Sequence, residues 1–550
     1  MAWRPDGGVW MMMTITIISF VQAEDSYRFF DFRVTYGNVS VNIDVPPTRV
    51  ILINEKFPGP ELDLVTNDNL IINVHNDLDE PFLLSWNGLH LKRNSYQDGV
   101  YGTTCPIPPG KNYTYAFNLG DQTGSFFYFP SLGVQKAAGG FGAIRILSRP
   151  GIPVPFPQPA GDFTLLVGDW YSGQDYKNIT ARLDGGRMIP RPYSVLINGN
   201  GNTGSRSTSL TVDKGKTYRF RISNVGVELS INVEILGHKL KLVEVEGTYT
   251  IQSMYTSLDI HVGQSLSVLV TMDQPPQNYS IVVGARFTDT VSSNTLILQY
   301  SNTKSKRSKF VPIREPDNEI DFSIKQARSI KTNLTAFRRN AEVSYHYGRI
   351  KISRTLILES SGGVVNGKQR YAINGVSFVP ADTPLKLADY FKIKGVFKEG
   401  SIPDKPGRAR IRLETAVMGV HHKDFLEIVF QNRELFVQTY HLDGYNFWVV
   451  GIGNRWSTWS QASRREYNLK DAIFRSTTQV YPKSWTAVYV ALDNVGMWNF
   501  RSEFWARQYL GQQFYFRVYS PANSTDEYPL PKNALLCGRA SNRHRHDFIS

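Results

Sequence analysis

Residues 117–146 read FNLGDQTGSFFYFPSLGVQKAAGGFGAIRI, and residues 489–518 read YVALDNVGMWNFRSEFWARQYLGQQFYFRV. Slid by a constant 372 residues, the stretches place Phe117 on Tyr489, Asp121 on Asp493, Gly124 on Gly496, Phe126 on Trp498, Tyr128 on Phe500, Gly139 on Gly511, Ile144 on Phe516 and Ile146 on Val518. Apolar residues alternate in each, the period of a half-buried strand, and the glycines fall between the alternating runs. An early and a late part of the chain are therefore copies of one β-sandwich unit.

The same alternation recurs outward from this repeat, in Leu70, Ile72, Val74, in Tyr218, Phe220, Ile222, in Ile231, Val233, Ile235 and in Val488, Val490, Leu492. Prolines at 150, 153, 155, 157 and 159 forbid helix and central strand over 148–161 and mark a linker. The basic, polar run 301–309, SNTKSKRSK, marks a second. Three domains follow, at 25–147, 162–300 and 330–540. The 28 Tyr, 31 Phe and 44 Gly suit strands and turns, and no long amphipathic helix is evident, so the expected class is all-β.

Residues 1–23 combine Arg4, the apolar stretch Val9–Val21 and small residues before Ala23, the pattern of a secretory signal peptide. The apolar run is shorter than a bilayer span, and no other segment reads as transmembrane. Secretion gives meaning to six N-x-S/T acceptors, at Asn38, Asn112, Asn178, Asn278, Asn333 and Asn523. In an oxidising compartment Cys105 and Cys537, the only cysteines, are expected to form a disulfide that brings the first and last domains side by side. The net charge of +13 suits an acidic partner. For a secreted chain that is an acidic polysaccharide or a membrane surface rather than nucleic acid, although charge also serves plain solubility.

Gly199-Asn200-Gly201-Asn202-Thr203-Gly204 matches a dinucleotide fingerprint in form only, because no helical pattern follows it; it reads as a turn. No G-x-S-x-G, C-x-x-C, H-E-x-x-H or P-loop is present. A multinuclear copper site needs H-x-H pairs, since residues two apart on a strand share a face. The only one is His544-Arg545-His546, in a charged tail.

Phe57-Pro58-Gly59-Pro60, Trp86-x-Gly88, Asp98-Gly99 with Cys105 and Pro109-Gly110, and Gly124-x-Phe126-Phe127-Tyr128 resemble the first domain of plant multicopper oxidases, especially ascorbate oxidase. Leu196-Ile197-Asn198-Gly199, Tyr218-Arg219-Phe220-Arg221 and Gly237-His238 resemble the second domain; His441-Leu442-x-Gly444 and Asp493-Asn494-x-Gly496-x-Trp498 resemble the third. The resemblance covers nearly the whole chain after residue 23. It implies three cupredoxin-like, Greek-key sandwiches, the first and third packed around a copper cluster, and it supports the Cys105–Cys537 bond.

The departures fall on the ligands. The family's H-W-H-G is here Ser85-Trp86-Asn87-Gly88, and its Y-H-G-H is Tyr128-Phe129-Pro130-Ser131. Its H-P-x-H-L-H-G becomes Gln438-Thr439-Tyr440-His441-Leu442-Asp443-Gly444. Its H-C-H-x-x-x-H becomes Arg501-Ser502-Glu503 and, four residues on, Arg507, with Gln512 at the weak axial position. Ser502 lacks the thiolate of a blue-copper centre, and Arg501 and Arg507 bring fixed positive charge, with Glu503 within reach as their ion-pair partner. A weak single site from His441, Asp443 and Glu503 is the most these side chains offer, so the expectation is no cofactor or at most one copper. The substituted pattern looks like that of pollen-type ascorbate-oxidase homologues, relatives of the skewed-growth cell-wall proteins. It implies an apoplastic protein of pollen-tube or directional growth without oxidase activity, the alternative being an oxidase that keeps one copper.

Overall fold

The computed structural model describes residues 26–41, 46–171, 175–201, 209–288, 293–301, 319–335, 346–520 and 526–543. The signal segment, Asn523, the His544–His546 pair, most of the basic linker and the end of the glycine-rich turn lie outside the described residues.

Domain 1 is a sandwich of two four-stranded sheets. One runs Thr48–Ile53, Tyr27–Val39, Asn69–Asn76, Lys111–Asn118; the other runs Leu62–Val65, Gly142–Leu147, Gly124–Pro130, Leu84–Asn87. Strand Asn69–Asn76 alternates strictly, burying Leu70, Ile72 and Val74. The middle sandwich begins at Asp162–Trp170 and ends at Ser293–Tyr300. In it Ile231, Val233 and Ile235 are buried in alternation, whereas Thr217–Asn224 is covered on both faces. The third domain is larger, an eight-stranded sheet against a six-stranded one. The chain is all-β and folds into three cupredoxin-like sandwiches.

The repeat holds in backbone detail. Gly124–Pro130 and Gly496–Ser502 are corresponding strands at the offset of 372, and their first glycines share φ values of +133° and +146° that favour glycine. Gly139 and Gly511, at +97° and +108°, close the following segments. Asn198 and Gly199, with φ of +48° and +77°, make the tight turn between Ile197 and Asn200, as expected of the glycine-rich motif.

The linker 148–161 carries no helix or strand, and its Phe156 packs with Val243, Tyr249 and Leu269 of the middle domain. The helices Tyr176–Asp184 and Glu319–Ser329 were not anticipated; they are short and sit between domains or at their joins.

Cys105 and Cys537 are joined, with Cα atoms 6.0 Å apart across 432 residues of sequence. The C-terminal segment clasps domain 1 on the way: Tyr528 N–H donates to Arg93 O at 2.8 Å and Asn533 Nδ2 to Thr114 O at 2.8 Å. Domains 1 and 3 also meet directly, through Met497 N–H on Ser95 Oγ at 3.1 Å and Trp505 Nε1 on Gly133 O at 2.8 Å.

Candidate functional site

In domain 1, Leu84–Asn87 pairs with Gly124–Pro130 so that Ser85 faces Phe129; in domain 3, Gln438–Leu442 pairs with Gly496–Ser502 so that His441 faces Arg501. His441 therefore stands to Arg501 as Ser85 stands to Phe129. Gly88 and Gly444, with φ of +84° and +77°, end the two inner strands alike. All eight positions aligned with the copper-cluster ligands, Ser85, Asn87, Phe129, Ser131, His441, Asp443, Arg501 and Glu503, are buried where domains 1 and 3 close on each other.

At the centre is Arg501, with no exposed surface. Its Nη1 donates to Asp443 Oδ2 at 2.5 Å and its Nε to Glu503 Oε1 at 3.0 Å. Asp443 Oδ1 lies 3.0 Å from His441 Nε2, and His441 Nδ1 bonds Thr477 Oγ1 at 2.7 Å. From domain 1, Lys136 brings Nζ to 3.6 Å from Glu503 Oε2 and to 4.8 and 5.1 Å from the ring centres of Phe129 and Trp505. The Arg501 guanidinium lies 5.8 Å from the Phe129 ring. Ser131 turns away, its Oγ donating to Gly99 O at 2.5 Å.

Burial alone would raise the Asp443 and Glu503 carboxyls. Arg501, with Lys136 helping at Glu503, outweighs it and holds both below the usual carboxylate range. Asp98, buried beside Asp443, goes the other way: burial and the Asp443 charge raise it well above its ordinary value against the pull of Arg501. Burial lowers the Lys136 ammonium, and Glu503 resists.

The blue-copper position is filled just as completely. Gln438 Nε2 donates to Ser360 Oγ at 2.7 Å and to Asn432 Oδ1 at 3.0 Å, while its Oε1 accepts from Tyr440 OH at 2.6 Å and Gln512 Nε2 at 2.9 Å. Ser502 Oγ accepts from Phe504 N–H at 3.2 Å. Arg507 was expected as a partner for Glu503; instead both its terminal nitrogens take Glu434, at 3.1 and 2.6 Å. The reason is position: Glu503 directly follows strand Gly496–Ser502, whereas Arg507 lies within the next helix, Trp505–Tyr509.

Copper fits neither position. One offers amides, hydroxyls and a guanidinium with no thiolate or imidazole; the other offers one imidazole and two carboxylates that a fixed cation already binds. Within the expected triad of His441, Asp443 and Glu503, Arg501 lies between the two acids and bonds both. Among the described residues no group of three or more His, Cys, Asp or Glu side chains is placed to hold a metal ion.

Sequence reading missed Lys136, Asp98, Glu434 and the Ser360–Asn432 end of the amide network. One signal for Lys136 was available, since it is the only charged residue between Asp121 and Arg145.

Three cupredoxin-like sandwiches, the outer two closing on a buried polar centre, define the architecture of the multicopper oxidases. Models of the multicopper oxidase family match residues 33–151, 161–303 and 382–524. An L-ascorbate oxidase homolog of Nicotiana tabacum is 46% identical over 528 residues, 94% of each chain. Monocopper oxidase-like protein SKU5 of Arabidopsis thaliana is 44% identical over 97% of this chain and 93% of its own. The crystal structure of Fet3p, a multicopper oxidase that functions in iron import, shares the fold with a TM-score of 0.78 at 18% identity, covering 92% of this chain and 94% of that one. The chain belongs to the multicopper oxidase family.

A second titratable group stands where domains 2 and 3 meet. Glu228 lies in the loop before Ile231–Ile235; Asp169 Oδ1 anchors that loop by accepting the N–H groups of Val227, Glu228 and Leu229, and Trp505 N–H donates to Val227 O at 2.9 Å. Burial first, then the Asp169 charge, pushes Glu228 from 4.5 up to about 7 against Arg507.

Replacing Arg501 by Met strands two buried carboxylates. We expect a loss of about 3–5 kcal/mol in denaturant unfolding, most of it recovered when Asp443→Asn and Glu503→Gln are added; an unchanged midpoint for Arg501→Met alone contradicts the assignment. Because the Glu228 pKa is raised by folding, its contribution is complete below 4.5 and is lost as pH rises through about 7. Glu228→Gln should therefore raise the melting temperature relative to wild type at about pH 8 and leave it unchanged at about pH 4. Equal melting temperatures at both values contradict the reading.

Proposed function

We propose that this chain is a multicopper-oxidase scaffold without oxidase activity, a secreted glycoprotein of the plant cell wall that works by binding an acidic polysaccharide. The observation that carries this reading is the refilling of the ligand positions. Arg501 holds Asp443 and Glu503, and Gln438, Gln512 and Tyr440 hold one another, so neither position keeps the donor set of its copper. An electron path from a blue-copper centre to a cluster needs the thiolate that Ser502 replaces.

Location rests on the signal-like residues 1–23 and on the similarity to plant proteins, and a part in pollen-tube or directional growth rests on the family resemblance alone. Among the described residues no helix is long and apolar enough to cross a membrane. Asn38, Asn112 and Asn178 are exposed as acceptors of glycan, and Asn278 and Asn333 are half-buried. The net charge of +13 supports the acidic partner.

The rival reading, an oxidase with one copper, draws on the printed name of the monocopper oxidase-like relatives and on the retained His441. Metal analysis of protein purified from a plant secretory host, paired with oxygen uptake on ascorbate and phenols, separates the two. We expect copper far below one equivalent and no turnover; stoichiometric copper with oxygen consumption contradicts the proposal.

A further inference from the structure

Cations are unevenly spread over the surface. The segment Lys405-Pro406-Gly407-Arg408-Ala409-Arg410-Ile411-Arg412 carries four positive charges and no negative one, and all four cationic side chains are exposed. It leads into Arg412–Glu414, the edge strand of the eight-stranded sheet of domain 3. Arg412 opens the edge strand, and Arg408 and Arg410 lie four and two residues before it, so three exposed cations follow closely along one short segment. Ile411 faces the sheet instead: a Cβ on Gly363 would stand 3.3 Å from its Cδ1.

A second basic segment approaches from domain 2. Arg187 and Arg191 are both exposed, and Tyr193 beside them is 51% exposed. This segment meets the hairpin formed by Arg354–Val365 and Lys368–Ile373, where a Cβ on Gly186 would stand 2.9 Å from the Gly367 carbonyl. Gly363 and Gly367 are four residues apart, at most about 13 Å of extended chain. The two basic segments thus flank one hairpin across the join of domains 2 and 3.

The neighbouring carboxylates are largely committed. Asp184 takes Lys368 and the Tyr509 hydroxyl, and Asp404 takes Arg354 through both oxygens. Glu414, half-buried, is the one other acid on the edge strand. Among the described residues, none of Lys405, Arg408, Arg410, Arg412, Arg187 and Arg191 forms an ion pair with a carboxylate. Only Arg412 is tied down, by donating to Ser401 O.

We infer that this stripe is the binding site for a polyuronate, an extended sugar chain with a carboxylate on each residue; the inference rests on the acidic-polysaccharide reading above. A run of cations concentrated in two short segments that flank one hairpin matches a linear polyanion better than a flat membrane surface. Tyr193 adds an apolar ring face at its domain 2 end, against which a sugar ring can pack.

The test uses the full-length secreted protein, unesterified and fully methyl-esterified oligogalacturonates, and vesicles containing phosphatidylserine. Two variants neutralise the stripe separately, one with Lys405→Gln, Arg408→Gln and Arg410→Gln, the other with Arg187→Gln and Arg191→Gln. A control replaces the exposed Lys214, Lys216 and Lys239 by Gln. We expect the wild type to bind the unesterified oligomer in a salt-sensitive way and the esterified one far more weakly. The three-charge stripe variant should lose about tenfold in affinity and the control about threefold or less. Equal loss in stripe variants and control overturns the stripe and leaves the polysaccharide reading standing. No wild-type binding to the unesterified oligomer overturns both, and binding to the vesicles in its place makes an anionic lipid surface the partner.

Discussion

The buried guanidinium of Arg501 is the constraint around which this molecule is arranged. A charge with no exposed surface is tolerated only when its partners neutralise it at hydrogen-bond distance. Glu503 does so from just past the end of Arg501's own strand, and Asp443 from just past the end of the neighbouring strand Gln438–Leu442. Once Arg501 is in place, it holds the Asp443 and Glu503 carboxyls below the usual carboxylate range, and Lys136 has a reason to be buried where domain 1 meets Glu503. The centre where domains 1 and 3 meet is built from the chain's own ions, rings and hydrogen bonds.

The surrounding architecture serves the same closure. The Cys105–Cys537 bond, the C-terminal segment lying along domain 1 and the Trp505–Gly133 contact all join domain 1 to domain 3. Phe129 and Trp505 cover the cation cluster from either side of that join, with ring centres 5.1 Å apart. The position aligned with the family's blue-copper site follows a different principle: it is a network of neutral amides and hydroxyls edged by the Arg507–Glu434 pair. One position is an ionic core and the other a polar one, and both lie against paired strands of the same sheet.

The fold was legible because sandwich strands advertise themselves by alternation and because the repeat recurs with the same glycines at the same backbone angles. That His441 and Arg501 would meet was legible for the same reason, since register along Gly496–Ser502 is fixed by its pairing with Gln438–Leu442. Pairing between side chains was less so. Arg501 and Arg507 are equally basic in sequence, yet the strand end between them sends one to Glu503 and the other to Glu434. Lys136 could be noticed as a lone charge in a long uncharged run, but its partner lies more than three hundred residues away and depends on how two domains dock. The short helices carry too few turns to show a clear period.

The central claim is that this chain's own cation has taken the place of the metal cluster. The most direct test is anomalous scattering at the copper absorption edge from crystals soaked in copper salt. The account predicts no copper peak among Arg501, Asp443, Glu503 and His441, with the guanidinium still bonded to both carboxylates. A peak ligated by His441 Nε2 with Asp443 or Glu503, and Arg501 displaced, would contradict it.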